Sequence, residues 1–178
     1  MIRVATIDDI SKLCELKAEV GKDTYFGYGS PEQFDSWISD VCSKEYFERL
    51  LDNSTTILVA EYKSELLGMA AISFYDDHAF FSNLYVGLQY RGIGSLLTDH
   101  RMSMAQNHIS LQPPESTFDL RARCFYINHR AYQHLLKHGF TPYDWEILEH
   151  YDFPAVLMKQ EIIVPALDRP QMVQYKYE

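Results

Sequence analysis

Hydrophobic positions follow two rhythms along the chain, and the changes between them mark the elements. Ile2 to Ala5 reads as a short strand. Thr6 followed by Asp9 then forms a capping box, ahead of a helix whose apolar face carries Ile10, Leu13, Cys14 and Val20. A loop containing Tyr25, Phe26, Gly27, Tyr28 and Gly29 follows. Ser30-Pro31-Glu32-Gln33 combines an N-cap, a proline at the first helical position and a capping-box glutamine, so a second helix starts there. Phe34, Trp37, Ile38, Val41 and Cys42 keep the helical spacing, and Phe47, Leu50 and Leu51 carry a further helical segment from Ser43 to Asp52.

From Thr55 the rhythm changes. Thr55 to Tyr62 and Leu66 to Tyr75 are β-rich runs around Lys63-Ser64-Glu65, the pattern of a hairpin, and Ala79 to Val86 forms a third strand after the polar turn Asp76-Asp77-His78. After Gly87 the helical spacing returns in Ile93, Leu96, Leu97, His100 and Met104, ending before Pro113-Pro114. A strand from Thr117 to Cys124, a helix from Asn128 to His138 stopped by Gly139, and two strands over Trp145 to Tyr151 and Ala155 to Val164 complete the pattern. A tail with Pro165 and Pro170 closes the chain, and no repeat, linker or low-complexity segment interrupts it.

Composition bounds what such a chain can be. With 178 residues, 47% of them hydrophobic and 23% charged, it can build one sizeable core, and disordered or collagen-like classes are excluded. A net charge of -9 repels a phosphate backbone, so no nucleic-acid partner is expected; cationic small molecules or basic peptides suit the charge better. Cys14, Cys42 and Cys124 are odd in number and widely spaced, which suggests neither a disulfide framework nor a zinc site. The chain shows no apolar run of membrane-spanning length and no signal-peptide pattern, so a cytoplasmic protein without a membrane partner is expected.

The chemistry concentrates in Leu84-Tyr85-Val86-Gly87-Leu88-Gln89-Tyr90-Arg91-Gly92-Ile93-Gly94-Ser95, a strand passing through a glycine-rich turn into a helix. Without side chains at Gly92 and Gly94, successive N–H groups can approach an anion, and the helix N-terminus adds about half a positive charge. No lysine follows either glycine, which argues against a P-loop. Leu97 stands where a dinucleotide fingerprint needs its third glycine, and the preceding strands read as antiparallel.

Gln89-x-x-Gly92-x-Gly94 instead resembles the acetyl-CoA motif of the GNAT N-acetyltransferase superfamily. Asn128-His-Arg-Ala131-Tyr-Gln-His-Leu135-Leu-Lys-His-Gly139-Phe140 is similar to the second helical motif of the same family, with Asn128, Ala131, Gly139 and Phe140 in register. The resemblance covers residues 1–162 and implies an α/β (α+β) domain: a mixed, largely antiparallel central sheet of six to seven strands flanked by about four helices. Residues 163–178 are then a tail, whose Tyr175 and Tyr177 have three fates open to them: folding back, contacting a second copy in a homodimer, or disorder.

The resemblance implies transfer of an acetyl group from acetyl-CoA to a primary amine of a small molecule or peptide, by direct attack and without a metal. Amides from Arg91 through Gly92, Ile93 and Gly94 to Ser95 would hold the pyrophosphate, with Gln89 at the head of the turn. Main-chain groups of Leu84, Tyr85 and Val86 would pair with the pantetheine arm, and Asn128 and Ala131 would line its other side. Tyr25, Phe26 and Tyr28 are candidates for the acceptor wall, where an aromatic surface would suit a cationic amine, or else pack as core edge.

Two positions depart from the family pattern. At pH 7 only about one part in 2,500 of an alkyl ammonium is deprotonated, yet the strand Ala79 to Leu84 carries no acid to accept its proton. The tyrosine that relatives use to protonate the leaving thiolate is Leu135 here, with Tyr132 three residues earlier as a displaced substitute. Asp76, Asp77, His78, Asp119 or a water relay are the candidate bases. A non-catalytic acyl-CoA-binding module is the alternative reading, and a domain without any ligand a third. His134 and His138 lack the glutamate of a zinc helix and read as a helix-end pair, and Cys124 reads as a small buried hydrophobe.

Overall fold

A computed structural model describes residues 1–27, 30–53, 55–87, 89–113, 116–148 and 153–164. Strand β1 (Ile2–Val4) leads through a single 3₁₀ turn into α1 (Ile10–Tyr25), then α2 (Pro31–Val41) and α3 (Lys44–Asp52). Strands β2 (Thr55–Tyr62), β3 (Glu65–Phe74) and β4 (His78–Val86) follow, then α4 (Ile93–Ile109), β5 (Thr117–Phe125), α5 (His129–Lys137), β6 (Thr141–Leu148) and β7 (Phe153–Ile163). The mixed seven-stranded sheet has the order β1-β2-β3-β4-β5-β7-β6, and every pairing is antiparallel except β4 with β5.

Local chemistry accounts for the helix boundaries. The Thr6 and Ser30 capping boxes both form. Ser43 Oγ accepts from the Tyr46 N–H at 3.1 Å, so α3 has its own N-cap and separates from α2, which makes five helices among the described residues rather than about four. Tyr25 belongs to the last turn of α1 rather than to a loop. Strand β6 begins at Thr141, four residues before the expected Trp145; it is an edge strand, and Pro142 sits beside a register shift where its missing N–H disturbs no central ladder.

The helices divide between the two faces of the sheet. Leu13, Phe47, Ile57, Val59 and Met69 join α1 and α3 to one face. Ala105, Ile109 and Leu135 join α4 and α5 to the other, over Phe81, Phe118, Leu120 and Met158. Strand β7 runs to Ile163, Val164 is buried with its N–H donating to Ser116 O at 2.9 Å, and residues 165–178, with Tyr175 and Tyr177, lie outside the described residues. Among the described residues no helix is long and apolar enough to cross a membrane.

Candidate active site

Strand β4 pairs with β5 only from His78 to Phe81, opposite Asp119 to Ala122. Just beyond, the ladder with β3 slips by one residue between Met69 opposite Tyr85 and Ala71 opposite Ser82. Asn83 absorbs the extra residue at φ +51°, a left-handed conformation that asparagine tolerates better than most residues. A bulge bends its strand, and here the outer half of β4 diverges from β5. The cleft opened by this divergence has a volume of about 200 Å³. Ser82 to Tyr85 line one side and Ala122 to Phe125 the other.

At the outer end of β4 lies the glycine turn. Gly92 is the N-cap of α4 with φ +85°, and a Cβ there would meet no atom within 4 Å. The first intrahelical bond near the turn runs from the Leu96 N–H to Gly92 O at 3.1 Å, which leaves the amides of Ile93, Gly94 and Ser95 without a helical acceptor. A helix of 17 residues thus ends in free donors around an open glycine. That arrangement fits a pyrophosphate, and the strand edge leading to it fits an extended amide-bearing arm such as pantetheine. Gln89, Arg91 and Ser95 are exposed around the turn.

On the α1 side the cleft is aromatic. Tyr25 packs edge-on against Trp37 at 5.4 Å and Phe125 at 5.1 Å, and burial pushes its phenol up to about 12. Its hydroxyl accepts from Asn128 Nδ2 at 2.8 Å, while Asn128 Oδ1 caps α5 by accepting from the Ala131 N–H at 2.9 Å. Lys17, Val41, Tyr46, Arg123 and Leu148 extend this wall. Lys17 is only 2% exposed, and its Nζ donates to Asn83 Oδ1 at 2.7 Å and lies 4.0 Å from the centre of the Tyr46 ring. Burial pushes the Lys17 ammonium down to about 7.

The α4 side holds a second buried cation. Arg101 donates to Ala71 O and Ser82 O, each at 3.3 Å, and to Thr98 Oγ1 at 3.0 Å, while its Nε has no partner. Thr98 Oγ1 also meets His134 Nε2 at 2.9 Å. Burial lowers Arg101 to about 9, so it stays charged at neutral pH, and burial with the neighbouring cations lowers His134 to about 4, so it stays neutral. Among the described residues no aspartate or glutamate lines the cleft.

The structure gathers Leu84, Tyr85, Asn128, Ala131 and Tyr25 around the cleft, with Val86, Ile93 and Gly94 grouped at its outer end. Gly94 lies 3.8 Å from Val86 and 3.9 Å from His134, measured from an added Cβ. Phe26 stands apart, 64% exposed and packed edge-on against Phe34, and Tyr28 lies outside the described residues. Tyr132 packs against the apolar core of the C-terminal half, whereas Leu135 and His134 line the cleft. Asp77 Oδ1 and His78 Nδ1 are hydrogen-bonded at 2.7 Å where β4 starts, and Asp77 and Asp119 both reach Arg121. His78 is three strand positions before Phe81, roughly 10 Å from where the cleft opens. Asp76 borders a separate depression with Phe74 and His108. Lys17 and Arg101 carried no role in the sequence reading. Their signal was a charged residue set among apolar positions at helical spacing: Leu13, Lys17, Val20 in one helix and Leu97, Arg101, Ala105 in the other.

Comparison with known proteins follows the same outline. The acetyltransferase (GNAT) family model matches residues 22–140. The chain superposes on PaiA N-acetyltransferase from Thermoplasma acidophilum, solved with coenzyme A, with TM-score 0.74 and 24% identity over 91% of this chain and 98% of that one. A GCN5-related N-acetyltransferase from Rhodopseudomonas palustris gives TM-score 0.71 and 18% identity over 91% and 95%. The ribosomal-protein-S18-alanine N-acetyltransferase from Escherichia coli gives 0.68 and 12% over 96% and 98%. No curated protein matches significantly. With two thirds of its length covered by the family model and its sheet shared with these structures, the chain belongs to the acetyltransferase (GNAT) family.

Proposed function

We propose that the protein transfers an acetyl group from acetyl-CoA to a primary amine of a small molecule or peptide by direct attack. The observation that carries this reading is the divergence of β4 from β5 ending at the free amides of α4. Those amides, of Ile93, Gly94 and Ser95, hold the pyrophosphate together with the preceding turn residues Arg91 and Gly92, with Gln89 at the head of the turn. Main-chain groups of Leu84, Tyr85 and Val86 pair with the pantetheine arm along one side, and Asn128 and Ala131 close the other. Bound acetyl-CoA supplies a thioester carbonyl as the electrophile. Tyr25, Trp37 and Tyr46 orient the acceptor and exclude water around its amine.

The charges that line the described cleft and persist at neutral pH are cationic, Arg101 and Arg123, with Lys17 partly protonated beside them. They favour an acceptor with a single amine on an apolar or aromatic body over a polyamine, despite the acidic protein as a whole. A panel of amines incubated with acetyl-CoA tests the function. Release of free CoA with at least one amine is expected, strongest for single amines, and release with none overturns it.

The missing acid on β4 and Leu135 in the tyrosine position favour a second reading, a non-catalytic acyl-CoA-binding module. Thermal stabilisation by CoA without turnover of any amine would establish that reading in place of the first.

A further inference from the structure

We propose that Lys17 is the general base of the cleft, accepting the proton that the acceptor's ammonium must lose before its nitrogen attacks. The inference rests on the amine-transfer reading and supplies the proton acceptor that β4 lacks.

Lys17 sits on α1 in the aromatic wall where the acceptor enters, and its Nζ is tied through Asn83 to the bulge at which β4 leaves β5. A buried lysine ordinarily needs a carboxylate. Around this one stand Cys14 on its own helix, Cys42 at the end of α2, Tyr46 on α3 and Tyr85 on β4. Burial raises the pKa of all four, Cys42 to about 11, so none is an anion at neutral pH. The remaining support is one amide oxygen and the faces of Tyr46, Tyr85 and Phe47 at 4.0, 5.3 and 5.6 Å. With a pKa of about 7, much of Lys17 is the free amine at neutral pH. One of its N–H bonds serves Asn83 Oδ1, and its lone pair stays available. Arg101, the other buried cation, remains protonated and cannot take this part.

The proton balance is complete without another reagent. Lys17 takes one proton from the acceptor ammonium, directly or through one water. The freed nitrogen forms the N–C bond to the acetyl carbon as the C–S bond breaks, and its second surplus proton leaves with the CoA sulfur. Lys17 then returns its proton to solvent.

The test combines a titration with kinetics. In protein carrying 13C at lysine Cε, one lysine should titrate near pH 7 and vanish from the spectrum of Lys17→Met. With an alkylamine from the panel, kcat/KM should rise with pH along a limb near 7. Lys17→Met and Lys17→Arg should lose that limb and at least about 100-fold in kcat/KM, with the CoA-induced thermal shift retained. An aromatic amine, already neutral at assay pH, should cut the loss at least about tenfold.

The absence of a lysine signal moving near pH 7, or an unchanged limb in either variant, overturns the base while leaving amine transfer intact. Absence of turnover in the wild type overturns both. If neither variant folds, the wild-type titration, assigned by its response to bound CoA, and the wild-type limb decide.

Discussion

The two ends of the cleft are built from different materials. At the α4 end the functional groups are backbone: three amides around Gly92, a residue held at φ +85° within one short turn. At the α1 end they are side chains, drawn from α1, α2, α3, β4 and β5, and they converge only in the folded chain. A backbone site asks little of side-chain identity and suits a ligand part common to every reaction the fold supports. The side-chain end can be recut, and it is where we place the choice of acceptor and the handling of its proton.

This division can be broken by substitution. The largest effect is expected from Gly92→Leu, which combines a costly left-handed conformation with a side chain in the open space of the turn. CoA affinity measured by calorimetry should fall by about 100-fold, with the tryptophan emission from the α1 end unchanged. Gly21→Ala is the mirror experiment. An added Cβ would lie 2.5 Å from Trp37 Cη2, so the indole must shift; a stability loss of about 1–3 kcal/mol and a raised acceptor KM are expected, with the CoA thermal shift relative to the unliganded variant preserved.

Asn128→Ala joins the two ends, since it removes both the cap of α5 and the partner of the buried Tyr25 hydroxyl. Chemical denaturation should show a loss of about 1–2 kcal/mol, and both CoA and acceptor constants should worsen. Asp77→Ala should do least: its exposed contacts with His78 and Arg121 predict a thermal midpoint within error of the wild type and no change in turnover. Turnover lost in that variant would move the proton chemistry back to the start of β4 and dissolve the contrast between the ends.

The same contrast explains what could be read from the chain. The glycine turn is local, so spacing alone exposes it, and the Ser30 box and the β2 to β4 meander follow from equally local signals, whereas Asn128 stood out through the family resemblance and its cap is visible only in the fold. Lys17 acts from a helix 66 residues away from Asn83, its hydrogen-bond partner. Its interruption of an apolar stripe was visible, but nothing local tells a solvated lysine from one sealed under three aromatic rings. Tyr132 shows the converse. Counting along the helix made it the substitute nearest to the family position, whereas packing turns it to the core and brings His134 to the cleft. Asp76, Asp77 and His78 are next to β4 in sequence, yet a strand of nine residues carries them away from its open end.

The slip in β4 also bears on how such a cleft can arise or disappear. Between the pairs Met69–Tyr85 and Ala71–Ser82, β3 has one intervening residue and β4 has two. Deleting Asn83 would restore a one-to-one ladder without turning any side chain over: Leu84 and Val86 would still face α4, and Tyr85 would still face α1. The strand would then be free to continue beside β5, closing the sheet. Access for an extended ligand would then depend on chain length, and deletion of the one codon for Asn83 is expected to narrow the cleft.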